Sequence, residues 1–135
     1  MKKFLACFFV LFCIFSGLSA QSSREVIEFD QNPNAKYRLF RTANVWIFLE
    51  LNTSNREIYL VQYSINENPS GSWPINSKSL LSEYEQEIPG RFTLYATTNI
   101  YNFIMLDTFI GATYQVQWNF EEQYCFVIPI SGSKE

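Results

Sequence analysis

The sequence predicts an all-β protein that consists of two tandem copies of one antiparallel unit. Residues 25–76 align with residues 80–131 without a gap, and 14 of the 52 aligned pairs are identical. The stretches TANVWIFLELNT (42–53) and TTNIYNFIMLDT (97–108) show this most clearly. In both copies the apolar residues alternate and many are aromatic or β-branched, which predicts strands. Repetition over such a length indicates a repeated structural unit.

Each copy is predicted to contain a lead-in strand, at 25–29 or 80–84, followed by a four-stranded meander. The second meander strand is apolar on both faces, which favours a central position. The next strand has one apolar face, and the last contains Pro74 or Pro129, as expected at a sheet edge. Asn44 and Asn99 are expected to supply the left-handed backbone of a tight hairpin.

The two meanders are expected to pack about an approximate two-fold axis into a sandwich or a flattened barrel. Propeller-like blades are the alternative, because a blade is also a four-stranded antiparallel meander. Closing a propeller takes about four or more blades, and one chain supplies two. That alternative therefore requires oligomerisation.

The first 20 residues have the layout of a secretory signal peptide. Two lysines precede an apolar run at 4–15, and small residues lead up to cleavage after Ala20. The run is shorter than the roughly 20 residues of a membrane span. We therefore predict a secreted or periplasmic protein, not inserted in a membrane after cleavage, with a single β domain over 21–135.

The composition argues against several classes of function. Cleavage removes two lysines and changes the net charge from −3 to −5, which disfavours nucleic acid as a partner. Histidine is absent, so the usual catalytic triads and zinc ligand sets are unavailable to this chain. We expect no enzyme activity, no cofactor and no metal site. Cys125 is the one cysteine left, either as a buried thiol or in a disulfide to another chain.

A carboxylate pair is the remaining route to catalysis. Glu50 and Asp107 are the candidates for a small hydrolase, because Glu50 stands where copy two has Met105 in an apolar strand. The alternative interpretation is that Glu50 is a rim carboxylate paired with Arg38 or Arg41.

Two stretches carry a resemblance to known proteins. RFTLYATTNIYNFIMLDT and TYQVQW resemble small secreted bacterial proteins of uncharacterised function that carry this unit in tandem. LDTFIGATY is similar to the Asp-x-x-x-Gly-x-x-aromatic turn between propeller strands, with Ile110 in the usual threonine position and Arg56 matching Gly111 in copy one. The resemblance implies a secreted tandem β-repeat and brings no catalytic residue.

The sequence favours a non-catalytic binding module. Phe109 and Ile110 occupy a turn in which copy one has Ser54 and Asn55. An exposed apolar pair is typical of a protein contact, as in an inhibitor or immunity-type protein. The other interpretation is that the pair folds back onto the lead-in segment or the N-terminal tail.

A carbohydrate-binding module is the alternative function. Sugar sites combine aromatic faces for stacking with a few polar groups for orientation. Candidate residues are Trp46, Tyr101 and Trp118, with Gln62 and Gln117 as the polar groups. The paired glutamines have a structural interpretation as well, which is a hydrogen bond across the approximate two-fold axis or to a neighbouring loop.

Overall fold

The computed structural model describes residues 32–65, 70–76, 81–82 and 85–130. The first sheet contains β1 (Tyr37–Arg41), β2 (Ile47–Asn52), β3 (Ile58–Gln62) and β4 (Gly71–Asn76). The second contains β5 (Phe92–Ala96), β6 (Asn102–Asp107), β7 (Thr113–Gln117) and β8 (Phe126–Pro129). A short 3₁₀ helix, Glu122–Tyr124, lies between β7 and β8.

Some predictions fall outside these residues. The signal peptide (1–20) and the first lead-in strand (25–29) are not within the described ranges. Of the second lead-in strand (80–84) only residues 81 and 82 are described, and neither is in a strand. No helix among the described residues is long and apolar enough to cross a membrane.

The predicted all-β class, with two tandem antiparallel meanders, is confirmed. Within each sheet the strands pair in sequence order, so β2 and β6 are flanked on both sides. Pro74 and Pro129 lie in the edge strands β4 and β8, as expected from the missing backbone N–H of proline. No described strand of one sheet pairs with the other, so the described part forms a sandwich and not a closed barrel.

Side-chain hydrogen bonds close the first hairpin of each copy. The Thr42 hydroxyl accepts from the Asn44 N–H (3.1 Å), and Asn44 Oδ1 accepts from the Trp46 N–H (2.9 Å). Thr97 and Asn99 repeat this arrangement in copy two. Neither asparagine has a positive φ, so the predicted left-handed backbone is wrong here. The asparagines act through their side chains instead.

The two sheets bury opposite faces of the repeat. Each repeat has two faces, and the same face in the two sheets carries residues that are 55 positions apart. We call face A the face that carries the buried residues of the first sheet, namely Ile47, Leu49, Leu51, Ile58 and Leu60. Face B carries the buried residues of the second sheet, namely Phe92, Leu94, Phe103, Met105, Val116 and Trp118. The core therefore forms between face A of the first sheet and face B of the second.

This packing refines the predicted symmetry of the sandwich. A two-fold axis would bury the same face from both copies. Shifting the buried residues of the second sheet back by 55 positions gives residues on the outer face of the first sheet, namely Tyr37, Leu39, Phe48, Glu50, Val61 and Tyr63. The two sheets are thus stacked in one direction, as neighbouring propeller blades are.

Candidate binding surfaces

The turn between β6 and β7 presents the predicted apolar pair to solvent. Phe109 is 60% exposed and Ile110 is 66% exposed. Asp107 Oδ1 accepts hydrogen bonds from the Phe109 N–H (3.0 Å) and the Ile110 N–H (3.4 Å). Below the tip, the Thr108 N–H and hydroxyl both donate to the Arg91 carbonyl at 2.9 Å. The tip is therefore held by its own base.

The corresponding turn of copy one is buried. Ser54 and Asn55 lie under the segment that joins β4 to β5, which we call the connector. Both side chains donate to the Glu87 carboxylate at 3.3 Å. The Gly90 N–H donates to Thr53 Oγ1 at 2.8 Å. The same structural position is thus covered in copy one and open in copy two.

A cluster of charged side chains ties the connector to both sheets. Arg91 donates from Nε and Nη2 to Asp107 Oδ2 (2.9 and 2.7 Å) and from Nη2 to Glu85 Oε1 (2.6 Å). The hydrogen bond to Asp107 raises the pKa of Arg91 above its ordinary value, with a further contribution from Glu85. The Ser82 backbone N–H, followed by Arg91, lowers the pKa of Glu85 from 4.5 to about 2. The ion pairs of Arg91 with Glu85 and Asp107 therefore have a structural role, which is to hold the connector against the second sheet.

The candidate carboxylate pair is not assembled. Asp107 is fully buried against Arg91, whereas Glu50 lies on the outer face of the first sheet, so a whole sheet separates the two side chains. Glu50 is half-buried and forms no ion pair within 4.0 Å with Arg38 or Arg41, both described residues. Among the described residues, no three acidic or cysteine side chains gather as metal ligands.

The predicted stacking residues do not form one platform. Trp118 is 1% exposed, and its indole N–H donates to the Ile100 carbonyl at 3.0 Å, so it belongs to the core. Trp46 and Tyr101 are accessible, but they lie just before β2 and β6, in the first hairpins of different sheets. The Gln117 amide donates to the Tyr124 carbonyl at 3.0 Å, which is the structural interpretation of that residue.

Gln62 lies in a cleft between β3 and β4 of the first sheet and the segment 119–125, which joins β7 to β8 in the second. The cleft has a volume of about 270 Å³. Its lining consists of Leu60, Gln62, Trp73, Pro74, Ile75, Asn119, Phe120, Glu122 and Cys125. The Cys125 thiol is free and half-buried, and its sulfur accepts from the Asn119 N–H at 3.2 Å. Sequence reasoning missed Asn119, Phe120 and Glu122, because they belong to a polar loop that only the packing brings next to Trp73.

A wide open groove of about 1110 Å³ runs between β1 and β5. Arg38 spans it, donating from Nη1 to Thr93 Oγ1 (3.2 Å) with its guanidinium 4.9 Å from the centre of the Phe40 ring. The first strands of both meanders therefore face a common open space.

No family model matches the chain, and neither a curated protein nor a solved structure shows significant similarity to it. Membership in a tandem β-repeat family stays a prediction.

Proposed function

We propose that this protein is a non-catalytic secreted or periplasmic binding module that contacts another protein chain through the Phe109–Ile110 turn. The observation that carries the proposal is an apolar pair exposed by 60% and 66% at a position that copy one buries. Large exposed apolar groups at one point are typical of a protein contact.

Hydrogen bonds at its base also hold the turn in one conformation before any partner binds. Its two tip N–H groups are satisfied by Asp107, and Asp107 is fixed by Arg91 beneath it. Binding to a pre-organised loop loses less conformational entropy than binding to a flexible one. The Arg91 guanidinium lies 6.0 Å from the centre of the Phe109 ring, which restrains that side chain as well. An inhibitor or immunity-type protein needs such a fixed anchor.

A photocrosslinking experiment tests this proposal. The secreted form, residues 21–135, carries a photoreactive phenylalanine analogue at position 109 and is irradiated with the envelope and culture fluid of the producing organism. Position 45 is the matched control, because Val45 is equally exposed at 65% and lies in the hairpin between β1 and β2. We expect a single protein adduct from position 109 and none from position 45.

Affinity capture supplies the second readout. The double variant Phe109→Ser/Ile110→Asn should lose the captured protein, whereas Val45→Ser should retain it. Equal capture by all three forms contradicts a protein-binding role for the turn, and so does the absence of any capture when the purified protein is also monomeric.

Carbohydrate binding is the second candidate, and the cleft at Trp73 favours it. The cleft combines two aromatic side chains, Trp73 and Phe120, with the amides of Gln62 and Asn119. These are the groups that a saccharide site uses for stacking and orientation. A glycan array with Trp73→Ala, and Trp46→Ala as the control outside the cleft, tests it. Binding that is unchanged in Trp73→Ala argues against this site.

A further inference from the structure

The partner itself can be inferred from the way the two sheets pack. We infer that a second copy of this chain is the partner, with face B of the first sheet of one copy packed on face A of the second sheet of the next. This inference rests on the proposed protein-binding function and names its partner. It would repeat between chains the contact that already joins the two sheets within one chain.

The two outer faces are equivalent to the two faces already in contact. Face B of the first sheet carries Leu39, Phe48 and Val61, which correspond by 55 positions to the core residues Leu94, Phe103 and Val116. Leu39 is 44% exposed. Phe48 and Val61 are half-buried, so the same apolar residues are buried in the second sheet and partly exposed in the first.

Face A of the second sheet is the complementary surface. Ile104 and Leu106 correspond to the core residues Leu49 and Leu51, and Tyr95, 55% exposed, corresponds to Phe40. Ile104 and Leu106 are half-buried, so both outer faces are partly exposed and keep much of the apolar pattern of the two faces already in contact.

Polar substitutions fall on both outer faces and match each other in chemistry. On face B, Glu50 takes the place of Met105 and has no ion-pair partner among the described residues. On face A, Asn102, Thr113 and Gln115 take the places of Ile47, Ile58 and Leu60. Amide and hydroxyl donors suit a carboxylate acceptor. An interface between separately folded chains is expected to be more polar than the core.

The exposed turn has a counterpart in the same arrangement. Within one chain the Phe92 N–H donates to the Thr53 carbonyl at 2.9 Å. Thr108 is the equivalent of Thr53, and no described residue of the same chain donates to its carbonyl. Tyr37 is the equivalent of Phe92, and its N–H points away from β2 because the preceding residue, Lys36, accepts from the Thr53 N–H. Tyr37 of the next copy therefore fits Thr108, and the described residues just before Tyr37 would lie over Phe109, as Glu87 lies over Ser54 within one chain.

Head-to-tail contacts of this kind close into a ring or continue as a filament. One chain supplies two blades, so two, three or four copies would close a propeller of four, six or eight blades. The open groove between β1 and β5 would then become part of a central channel.

Complementation between two variants is the decisive experiment. Val61→Asp disrupts face B, and Ile104→Asp disrupts face A. We expect the natural protein to sediment with the mass of two to four chains and each variant alone to sediment as a monomer. An equimolar mixture should form a one-to-one dimer, because one intact face A meets one intact face B. A dimer that pairs face A with face A, or face B with face B, cannot show this pattern, because one of the two variants would then still dimerise on its own.

Circular dichroism verifies that each variant is folded. Tyr37→Asp and Tyr95→Asp serve as a second pair, because both tyrosines are about half exposed in one chain and their loss should not affect folding. Crosslinking in a Cys125→Ser background adds a positional readout. A mixture of Tyr37→Cys chains and Thr108→Cys chains should crosslink with a short bis-maleimide, and neither chain should crosslink to itself.

The outcomes separate this inference from the proposed function. A natural protein that is monomeric, yet is captured on a different protein through Phe109 and Ile110, overturns the second-copy inference alone. A monomer that captures nothing overturns both. An assembly that survives both Val61→Asp and Ile104→Asp overturns the assignment of the faces.

Discussion

Arg56 and Gly111 occupy the same backbone position 55 residues apart, and both have a positive φ, 71° for Arg56 and 70° for Gly111. Glycine adopts this conformation freely, whereas a side chain there costs about 1 kcal/mol. Arg56 offsets that cost: its Nη1 donates to the Tyr114 hydroxyl at 2.6 Å, and its guanidinium lies over the rings of Phe92 and Tyr114. The arginine thus links the turn of the first sheet to the second sheet.

Substituting Arg56 should separate these two effects. Arg56→Ala keeps the backbone strain and loses the contacts, so we expect the free energy of unfolding to fall by about 2 kcal/mol. Arg56→Gly loses the same contacts but relieves the strain, so it should be about 1 kcal/mol more stable than Arg56→Ala. Urea unfolding followed by tryptophan fluorescence measures both. Arg56→Ala matching Arg56→Gly would show that the backbone is not strained.

Acid should remove the contribution of Glu85 to stability. Its pKa is lowered from 4.5 to about 2 in the folded protein, so the unfolded chain binds more protons between these values. The stabilisation is therefore complete above pH 4.5 and is lost as the pH falls towards 2. Glu85→Gln should be less stable than the natural protein at pH 7, and this difference should shrink towards pH 2. Glu121→Gln is the charge-matched control, and a difference that grows on acidification contradicts this assignment.

Removal of the Asp107 charge should be strongly destabilising. Asp107→Asn leaves the buried Arg91 guanidinium with Glu85 as its remaining anionic partner, and we expect a loss of about 3 kcal/mol. The double variant Asp107→Asn/Arg91→Ala removes both charges of the pair and should lose at least about 1 kcal/mol less than the sum of the two single losses. Strictly additive losses in the double-mutant cycle would mean that the two residues act independently.

Trp118 and Tyr63 provide a direct test of which faces are buried. Trp118→Phe leaves a void and removes the donor to the Ile100 carbonyl, so it should cost about 2 kcal/mol. Tyr63→Phe, at the equivalent position on the outer face, should change stability by less than about 0.5 kcal/mol. Thermal unfolding in the Ile104→Asp background measures both in a form that cannot assemble. Similar losses at the two positions are incompatible with unequal burial.

The repeated stretches 42–53 and 97–108 predicted the local structure, because the hydrogen bonds of their turns join residues that are close in the sequence. Thr42 and Asn44 close a hairpin with groups two to five residues away, and Thr97 and Asn99 do the same. Such bonds form wherever the residues recur, so two meanders with the same hairpins follow from the sequence. The prediction of a left-handed backbone at Asn44 was wrong. Asparagine is favoured both where its side chain closes a turn and where the backbone is left-handed, so the residue type alone does not separate the two.

The candidate sites depended on distant residues, so the sequence predicted them only in part. Phe109 and Ile110 were found because they depart from the repeat, and the structure places both on the surface. Trp118 was taken for a stacking residue because its strand shows one apolar face without showing what covers it. The structure covers it with the first sheet.

The all-β class, the two tandem meanders and the position of the apolar turn follow from local patterns in the sequence, because period-two alternation and turn residues act over a few positions. Which face of each sheet is buried does not follow from those patterns. Both faces of β2 and β6 are largely apolar, so the buried face depends on how one sheet packs on the other. That packing leaves Glu50 outside and Met105 inside at equivalent positions, and with it the two outer faces that another copy would fit.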